Sequence, residues 1–372
     1  CGGRVMGASK RSIAGKFASM RADAIRVRQD RCAKVRNRNV ACLKCAEACT
    51  SGCISIVDDE LVIDSDKCVG CGTCATVCPT CALESVNPTD AELTAQCARA
   101  AREGRCTIAC SALAGEEAFA DAAKVTCLGR VDESTLAALA AQGTVDIELA
   151  CGSCERCAQR VGEATAHLVA ETANDLFDAF GSSARVHVEP HEMAGDFACA
   201  ALVEQAGASW QNVLPGSDFS AALPHVMKDG TLPHFLPNRR ERLLDSLSQL
   251  GDGEPKRALN NRLWGCVVID GTKCTSCRMC ATFCPTGAIR KFDNDDGIFG
   301  VMHFPGDCVK CGSCRDICPE GAILLLDEVK PRYLMDGEVH RYTMKPRDVE
   351  IDNPQQILNT MKTLIPGNLY ER

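Results

Sequence analysis

The stretch Cys274-Thr-Ser-Cys-Arg-Met-Cys-Ala-Thr-Phe-Cys-Pro-Thr-Gly-Ala-Ile289 decides how this chain is read. Cys274, Cys277 and Cys280 are spaced to grip one face of an iron–sulfur cube. Cys284, followed by Pro285, is spaced to reach the neighbouring cube instead. The same C-x2-C-x2-C-x3-C-P spacing recurs at Cys308, Cys311, Cys314, Cys318-Pro319 and at Cys68, Cys71, Cys74, Cys78-Pro79. Tetrahedral zinc sites do not need this interleaved pattern. Three repeats of it are not what scattered structural thiols produce.

The spacing resembles that of the bacterial two-cluster ferredoxins. By that resemblance Cys274, Cys277, Cys280 and Cys318 hold one [4Fe–4S] cluster, and Cys308, Cys311, Cys314 and Cys284 hold the next. Each loop ends in a shared phrase, CPTGAI or CPEGAI, in which Gly reverses a short helix and Ala-Ile begins a strand. The first module is irregular at Cys42-Leu-Lys-Cys-Ala-Glu-Ala-Cys-Thr-Ser-Gly-Cys-Ile54. Aligning CTSGCI with CPTGAI makes Cys49 the cross-ligand and leaves Cys45 and Cys42 in the loop. The missing first ligand is then Cys32, since Asn39 stands at the regular position. The expected sets are Cys32, Cys42, Cys45 and Cys78 for one cluster, and Cys68, Cys71, Cys74 and Cys49 for its neighbour. The rival reading puts Cys53 in place of Cys32. The long Cys32–Cys42 loop is basic, which is expected to raise the potential of the cluster beside it.

Cysteine is the compositional outlier, 28 of 372 residues. Tight C-x2-C runs in a long chain favour metal over a disulfide framework, and imply a reducing or anaerobic setting. No apolar run is long enough to span a membrane, and no signal peptide is visible. The sequence begins at Cys1, which fits either an incomplete chain or a lipid-bearing N-terminus. The expected location is cytoplasmic, with peripheral membrane association only through a partner.

The net charge of −8 is unevenly spread. Residues 1–40 carry 11 Lys/Arg against 2 Asp/Glu, which makes that stretch +9 and leaves −17 elsewhere. Ile13, Phe17, Met20 and Ala24 recur there at helical spacing. Such an arm docks either on a partner or on the chain's own acidic body. Nucleic acid is not an expected partner, because the arm lacks interleaved aromatics and the whole is acidic.

Between the ferredoxin segments the pattern changes. A capped helix is expected over 89–103, strands near 105–109, 123–126, 145–150 and 184–188, and helices over 132–142 and 158–180, the latter burying Val161, Ala164, Leu168 and Leu176. Strand–helix alternation argues a parallel sheet, whose strand ends collect ligands. Cys110, Cys127 and Cys151 fall at three such ends. Cys151, Cys154 and Cys157 have ferredoxin spacing, but Val161 stands where a fourth cysteine is due. The five are read as a separate metal site.

Cys127-Leu-Gly-Arg-Val-Asp132 and the later Cys151–Cys157 segment resemble the delta-subunit family of methyl-viologen-reducing hydrogenases. That resemblance covers roughly residues 97–190. It implies a [2Fe–2S] cluster and electron transfer between subunits, with Cys106 and Cys110 as candidates for an upstream pair. A fifth cube, zinc or a Cys154–Cys157 disulfide are the alternatives. Cys97, Cys106 and Cys199 also read as buried thiols, and His187 and His191 as surface or structural side chains.

The expected fold class is α+β, multidomain: two ferredoxin-like 2[4Fe–4S] modules flanking a small α/β parallel-sheet domain. The boundaries are a basic arm (1–31), a ferredoxin module (32–87), a cysteine-rich α/β domain (88–230), a linker with one helix (231–262), a second ferredoxin module (263–330), and a C-terminal hairpin and helix (331–372). No GxGxxG, P-loop or HExxH motif occurs. The expected function is electron relay to a catalytic oxidoreductase subunit of molybdopterin, hydrogenase or flavoprotein type. The alternative is a redox enzyme, such as a disulfide reductase, with the middle cysteines as its catalytic site.

Overall fold

The computed structural model describes residues 24–157, 159–192, 227–254 and 257–345. Most of the basic arm, Cys199 and the expected terminal helix after Pro354 lie outside these residues.

The first module opens on β1 (Ile25–Val27) and two one-turn helices, α1 (Ala33–Arg36) and α2 (Lys44–Glu47). A hairpin follows, β2 (Ile54–Val57) and β3 (Glu60–Ile63), then α3 (Thr73–Val77) and β4 (Leu83–Ser85). Strand β4 returns antiparallel to β1, pairing Leu83 with Val27. Ile25, Ile54, Leu61 and Leu83 close a small core around Cys45, Cys53, Cys74 and Cys78.

The middle domain starts with α4 (Asp90–Ala100), whose Thr89 and Glu92 form a reciprocal capping box. Strands β5 (Arg105–Cys110) and β6 (Ala123–Val125), helix α5 (Glu133–Ala141), β7 (Asp146–Cys151), α6 (Val161–Ala179) and β8 (Arg185–Pro190) follow. The four strands form one parallel sheet in the order β6-β5-β7-β8. Parallel strands are covered on both faces, and here Ile108, Ile147, Leu149, Val169, Leu176 and Phe177 are buried in one core. The buried side of α6 differs from expectation: Val161 is only half-buried, while Ala164 and Leu168 are exposed. Gly162, Ala166, Val169, Ala173 and Leu176 face inward instead.

The helix expected inside the linker is α7 (Asn238–Leu250); it packs on α5 and buries Leu243 and Leu247 in the middle-domain core. Leu259 of β9 (Leu259–Asn260) and Trp264 join the same core.

The second module comprises β10 (Cys266–Ile269), α8 (Met279–Thr282), β11 (Ile289–Asp293), β12 (Phe299–His303), α9 (Ser313–Asp316) and β13 (Ile323–Leu326). Strand β13 pairs antiparallel with β10, as β4 does with β1. Beyond it, β14 (Glu328–Val329) pairs with β9. The expected C-terminal hairpin is absent. Pro331–Met335 is instead a short helix, α10, which Pro331 starts at its first position. β15 (His340–Met344) adds to the β11–β12 hairpin as a third strand.

Candidate iron–sulfur relay site

Four turns carry the cysteines that precede or replace the C-P step, and all reverse with positive φ at the same place. Gly287 (+69°), Gly321 (+57°) and Gly52 (+63°) take it, and Cys81 (+49°) does so in Cys78-Pro-Thr-Cys81. Each turn leads into a strand, β11, β13, β2 and β4. The shared turn supports aligning Cys49-Thr-Ser-Gly-Cys-Ile54 with the regular loops. In two of the three regular loops the fourth cysteine accepts an amide hydrogen bond from four residues on: Ala82 N to Cys78 Sγ and Ala322 N to Cys318 Sγ, both 3.3 Å.

The thiols gather in groups. Cys32, Cys42, Cys45 and Cys78 form the first. Burial pushes Cys32 up to about 11 and Cys45 to about 12, and their own thiol neighbours add to the shift. The second group is Cys49, Cys68, Cys71 and Cys74, where burial and the other three raise Cys74 well above its ordinary value. They line a cavity closed by Ile25, Ile54 and Ile63. Cys53 lines this cavity too, its Sγ 3.4 Å from Cys49 Sγ, and is not with Cys32 and Cys42. Burial raises Cys53 to about 12. Burial also opposes ionisation of Cys49, but bonds from Ser51 and Cys53 outweigh it and hold Cys49 low.

In the second module Cys274, Cys277 and Cys280 form the third group, with Cys280 pushed to about 12 by burial and then by Cys277. Cys318 packs in the same cluster of side chains as Cys274 and Cys280. Cys308, Cys311, Cys314 and Cys284 form the fourth: burial raises Cys314, and Cys311, Cys308 and Cys284 add to it. Thiols gathered in sets of four, several of them buried and raised, suit a cationic metal cluster, which binds them as thiolates.

The middle domain supplies a fifth group. Cys110, Cys127 and Cys151 reach one edge of the parallel sheet from the ends of β5, β6 and β7. Cys154 holds Cys151 low by hydrogen bonding and is itself raised. Burial raises Cys127, with further contributions from Cys71, Cys157 and Cys110. Cys106 does not join them; it lies buried against Cys97, its Sγ 3.6 Å from Cys97 O. His191 pairs with Glu148 at 2.8 Å and His187 with Asp146 at 3.5 Å, as expected of structural histidines.

Within Cys127-Leu-Gly-Arg-Val-Asp132, every polar member has a structural task. A Cβ on Gly129 would lie 2.8 Å from Gly162 Cα, so two glycines let this turn meet the start of α6. Buried Arg130 holds Asp90 at 2.5 Å and the Pro88 carbonyl at 3.2 Å. Asp132 caps α5 by accepting from Ser134 N at 2.9 Å. The turn docks on the first module through Thr76 Oγ1, which donates to Arg130 O at 2.9 Å. A methyl group on Gly162 would fall inside the contact radius of Cys127 Sγ. Gly162→Ala should therefore displace Cys127 and abolish iron bound in the middle domain, leaving iron in the ferredoxin loops unchanged. Metal analysis of wild type and variant checks this, and equal iron in both counts against it.

Adjacent groups lie near enough to act on one another electrostatically, in sequence along the molecule. Cys127 feels Cys71, Cys74 feels Cys45, Cys311 feels Cys42, and Cys314 feels Cys280. The groups thus run from the middle domain through the second, first and fourth to the third, whose Cys277 is exposed. At the junction between ferredoxin modules, Ala33, Val40, Phe283 and Ile317 pack beside Cys42 and Cys311. Ala41 N donates to Asp316 Oδ2 at 2.9 Å across it. Arg36 is buried here, donating to Pro233 O at 2.7 Å. Burial lowers Arg36, opposed first by Cys284. Its charge therefore acts on Cys284 and Cys311 of the fourth group. Three arginines at the start of α7 hold the three bodies together. Arg239 donates to Ala75 O at 2.7 Å, Arg240 to Cys308 O at 3.3 Å, and Arg242 to Ser134 Oγ at 2.6 Å.

Comparison with known proteins bears on these loops. Residues 273–322 match the 4Fe-4S dicluster domain and residues 61–84 the 4Fe-4S binding domain. The chain therefore carries two regions of 4Fe-4S ferredoxin type. It is 44% identical over 39 residues to a ferredoxin 7Fe of Hydrogenibacillus schlegelii, covering 10% of this chain and 50% of that one. It is 38% identical over 45 residues to a subunit of the ion-translocating oxidoreductase complex of Methanosarcina acetivorans, covering 12% of this chain and 17% of that one. The chain thus spans half or less of the length of these relatives. No solved structure matches. Neither domain match reaches the fifth thiol group. Among the described residues no helix is long and apolar enough to cross a membrane.

Proposed function

We propose that this chain is the electron-relay subunit of an anaerobic oxidoreductase complex, carrying four [4Fe–4S] clusters and a fifth iron–sulfur site. The ligand sets are Cys32, Cys42, Cys45 and Cys78; Cys49, Cys68, Cys71 and Cys74; Cys284, Cys308, Cys311 and Cys314; and Cys274, Cys277, Cys280 and Cys318. The fifth is held by Cys127 and Cys151 with Cys154, Cys157 and Cys110. Likeness of the Cys127–Asp132 stretch to the hydrogenase delta-subunit family favours two irons there. When bound, such clusters supply one-electron chemistry. The chain's own residues hold them in line, bury them from water, and set their potentials through amide bonds and the Arg36 charge.

The observation that supports this reading is the succession of the five thiol groups, each close enough to the next to act on it electrostatically, with Cys42 and Cys311 packed against one small core at the junction of the ferredoxin modules. A wire needs that order; five independent structural sites do not. The partner is a catalytic oxidoreductase subunit, in the cytoplasm or at a membrane surface through the complex. The test is to compare the isolated, cluster-loaded chain with the native complex. The isolated chain should accept electrons from reduced viologen yet turn over no disulfide, while the native complex should contain a separate catalytic chain. Disulfide reduction by the isolated chain, lost in Cys154→Ser, would instead make the middle domain an enzyme site.

A further inference from the structure

Among the described residues, one more set of metal-ligating side chains converges outside the five thiol groups. Cys266 begins β10, His303 ends β12 and His340 begins β15. Their ligand atoms all lie within 4.8 Å of one another. Cys266 Sγ is 3.5 Å from His340 Nδ1. His303 stands directly opposite His340 in the β12–β15 pairing.

Burial is the second observation. His303 is 0% exposed, and neither of its ring nitrogens has a hydrogen-bond partner. A buried polar atom left without a partner is costly, and two on one ring call for an explanation. Cys266 is 7% exposed, and no C-x2-C run includes it. The outer nitrogen of His340, Nε2, lies 3.7 Å from Glu338 Oε1. A carboxylate behind a histidine, with the inner nitrogen turned to a common centre, is how metal-binding imidazoles are oriented. The His340 ring is also held edge-on against Tyr333, centroids 5.1 Å apart.

We propose that Cys266, His303 and His340 bind a single zinc ion, with Glu338 orienting His340 from behind. One thiolate and two imidazoles are a donor set that zinc takes in tetrahedral geometry, with a water as the fourth ligand. Bonds of about 2.0–2.3 Å at tetrahedral angles put ligand atoms about 3.5 Å apart, which the Cys266–His340 pair already meets. Binding releases the Cys266 proton to solvent and gives one His303 nitrogen its missing partner. The ion joins two sheets: β10, paired with β13, and the three-stranded β11-β12-β15. It would pin the C-terminal strand to the ferredoxin core next to Cys308, whose thiol accepts a bond from the Gly265 amide.

The test uses the full chain, purified anaerobically with its clusters and washed with a mild chelator. About one zinc per chain is expected, with absorption fine structure at the zinc edge showing one sulfur and two nitrogens. His340→Ala and Cys266→Ser should each lose that zinc and keep their iron. The edge measurement on wild type decides the matter even where a variant folds poorly. Zinc in an all-sulfur shell, copper in place of zinc, zinc retained in His340→Ala, or a zinc-free chain that takes up none when offered it would each overturn the proposal.

Discussion

Cys32→Ala should remove or convert one [4Fe–4S] cluster, lowering iron by one to about four atoms per chain, while Cys53→Ala should leave iron unchanged. The two residues differ in what they face. Cys32 sits with Cys42, Cys45 and Cys78: burial raises Cys32 and Cys45, and the neighbouring thiols add to both shifts. Cys53 sits one position after a left-handed turn at Gly52 and touches Cys49. Its loss removes a hydrogen bond to a ligand, so it should shift a potential and spare the cluster. Cys32→Ala also breaks the relay at its middle, because the first group is the one beside Cys311. Electrons given to the second module should then reach the middle domain far more slowly than in wild type. Rapid-mixing spectroscopy reads both effects, and the opposite pattern of iron loss would restore Cys53 as the ligand.

Asp132→Asn should cost about 3–5 kcal/mol of stability, as breaking a buried ion pair from one side does. Asp132 is 2% exposed and lies 3.8 Å from Arg130 and 3.7 Å from Arg242. Without its charge, buried Arg130 keeps the half-exposed Asp90 carboxylate and the neutral Pro88 carbonyl as partners. Burial pushes the Asp132 carboxyl up, but Arg242, Arg239 and Arg130 together hold it at about 2. An unfolded aspartate titrates near 3.9. The unfolded chain therefore binds more protons between about pH 4 and pH 2, and the Asp132 contribution is complete above that window and lost as pH falls through it. Denaturation of wild type and variant at neutral pH should show the full difference, and at pH 2 a much smaller one. A difference under about 1 kcal/mol at neutral pH would mean that the arginines find other partners.

The parts of this arrangement set by local chemistry were legible in the sequence. C-x2-C-x2-C-x3-C-P spacing marks the regular loops, and the CTSGCI alignment led to Cys32 and Cys49, which the structure brings to their expected companions. Alternating strands and helices announced the parallel sheet, and its strand ends brought Cys110, Cys127 and Cys151 together. The rest depended on long-range packing. Asn238-Arg-Arg-Glu-Arg242 reads as the charged start of a surface helix, yet Arg240 is 5% exposed and bridges to the second module. A buried arginine that bonds backbone carbonyls leaves no periodic signal. Likewise β15 adds to a hairpin some 40 residues upstream, and strand addition at that range has no local signature. Arg36 appeared as one base among several in a loop; only the fold shows which group it faces. Cys266, His303 and His340 come from three strands and were invisible for the same reason.

The central claim is a continuous line of clusters, and iron analysis joined to electron paramagnetic resonance of the fully reduced, anaerobically prepared chain tests it most directly. Four cubes and a smaller middle-domain cluster require about 18 iron atoms per chain. Neighbours in contact should give broad, mutually coupled signals, which sharpen in Cys32→Ala as the line is cut. About eight iron atoms, or narrow signals from magnetically isolated clusters that Cys32→Ala leaves unchanged, would contradict the account.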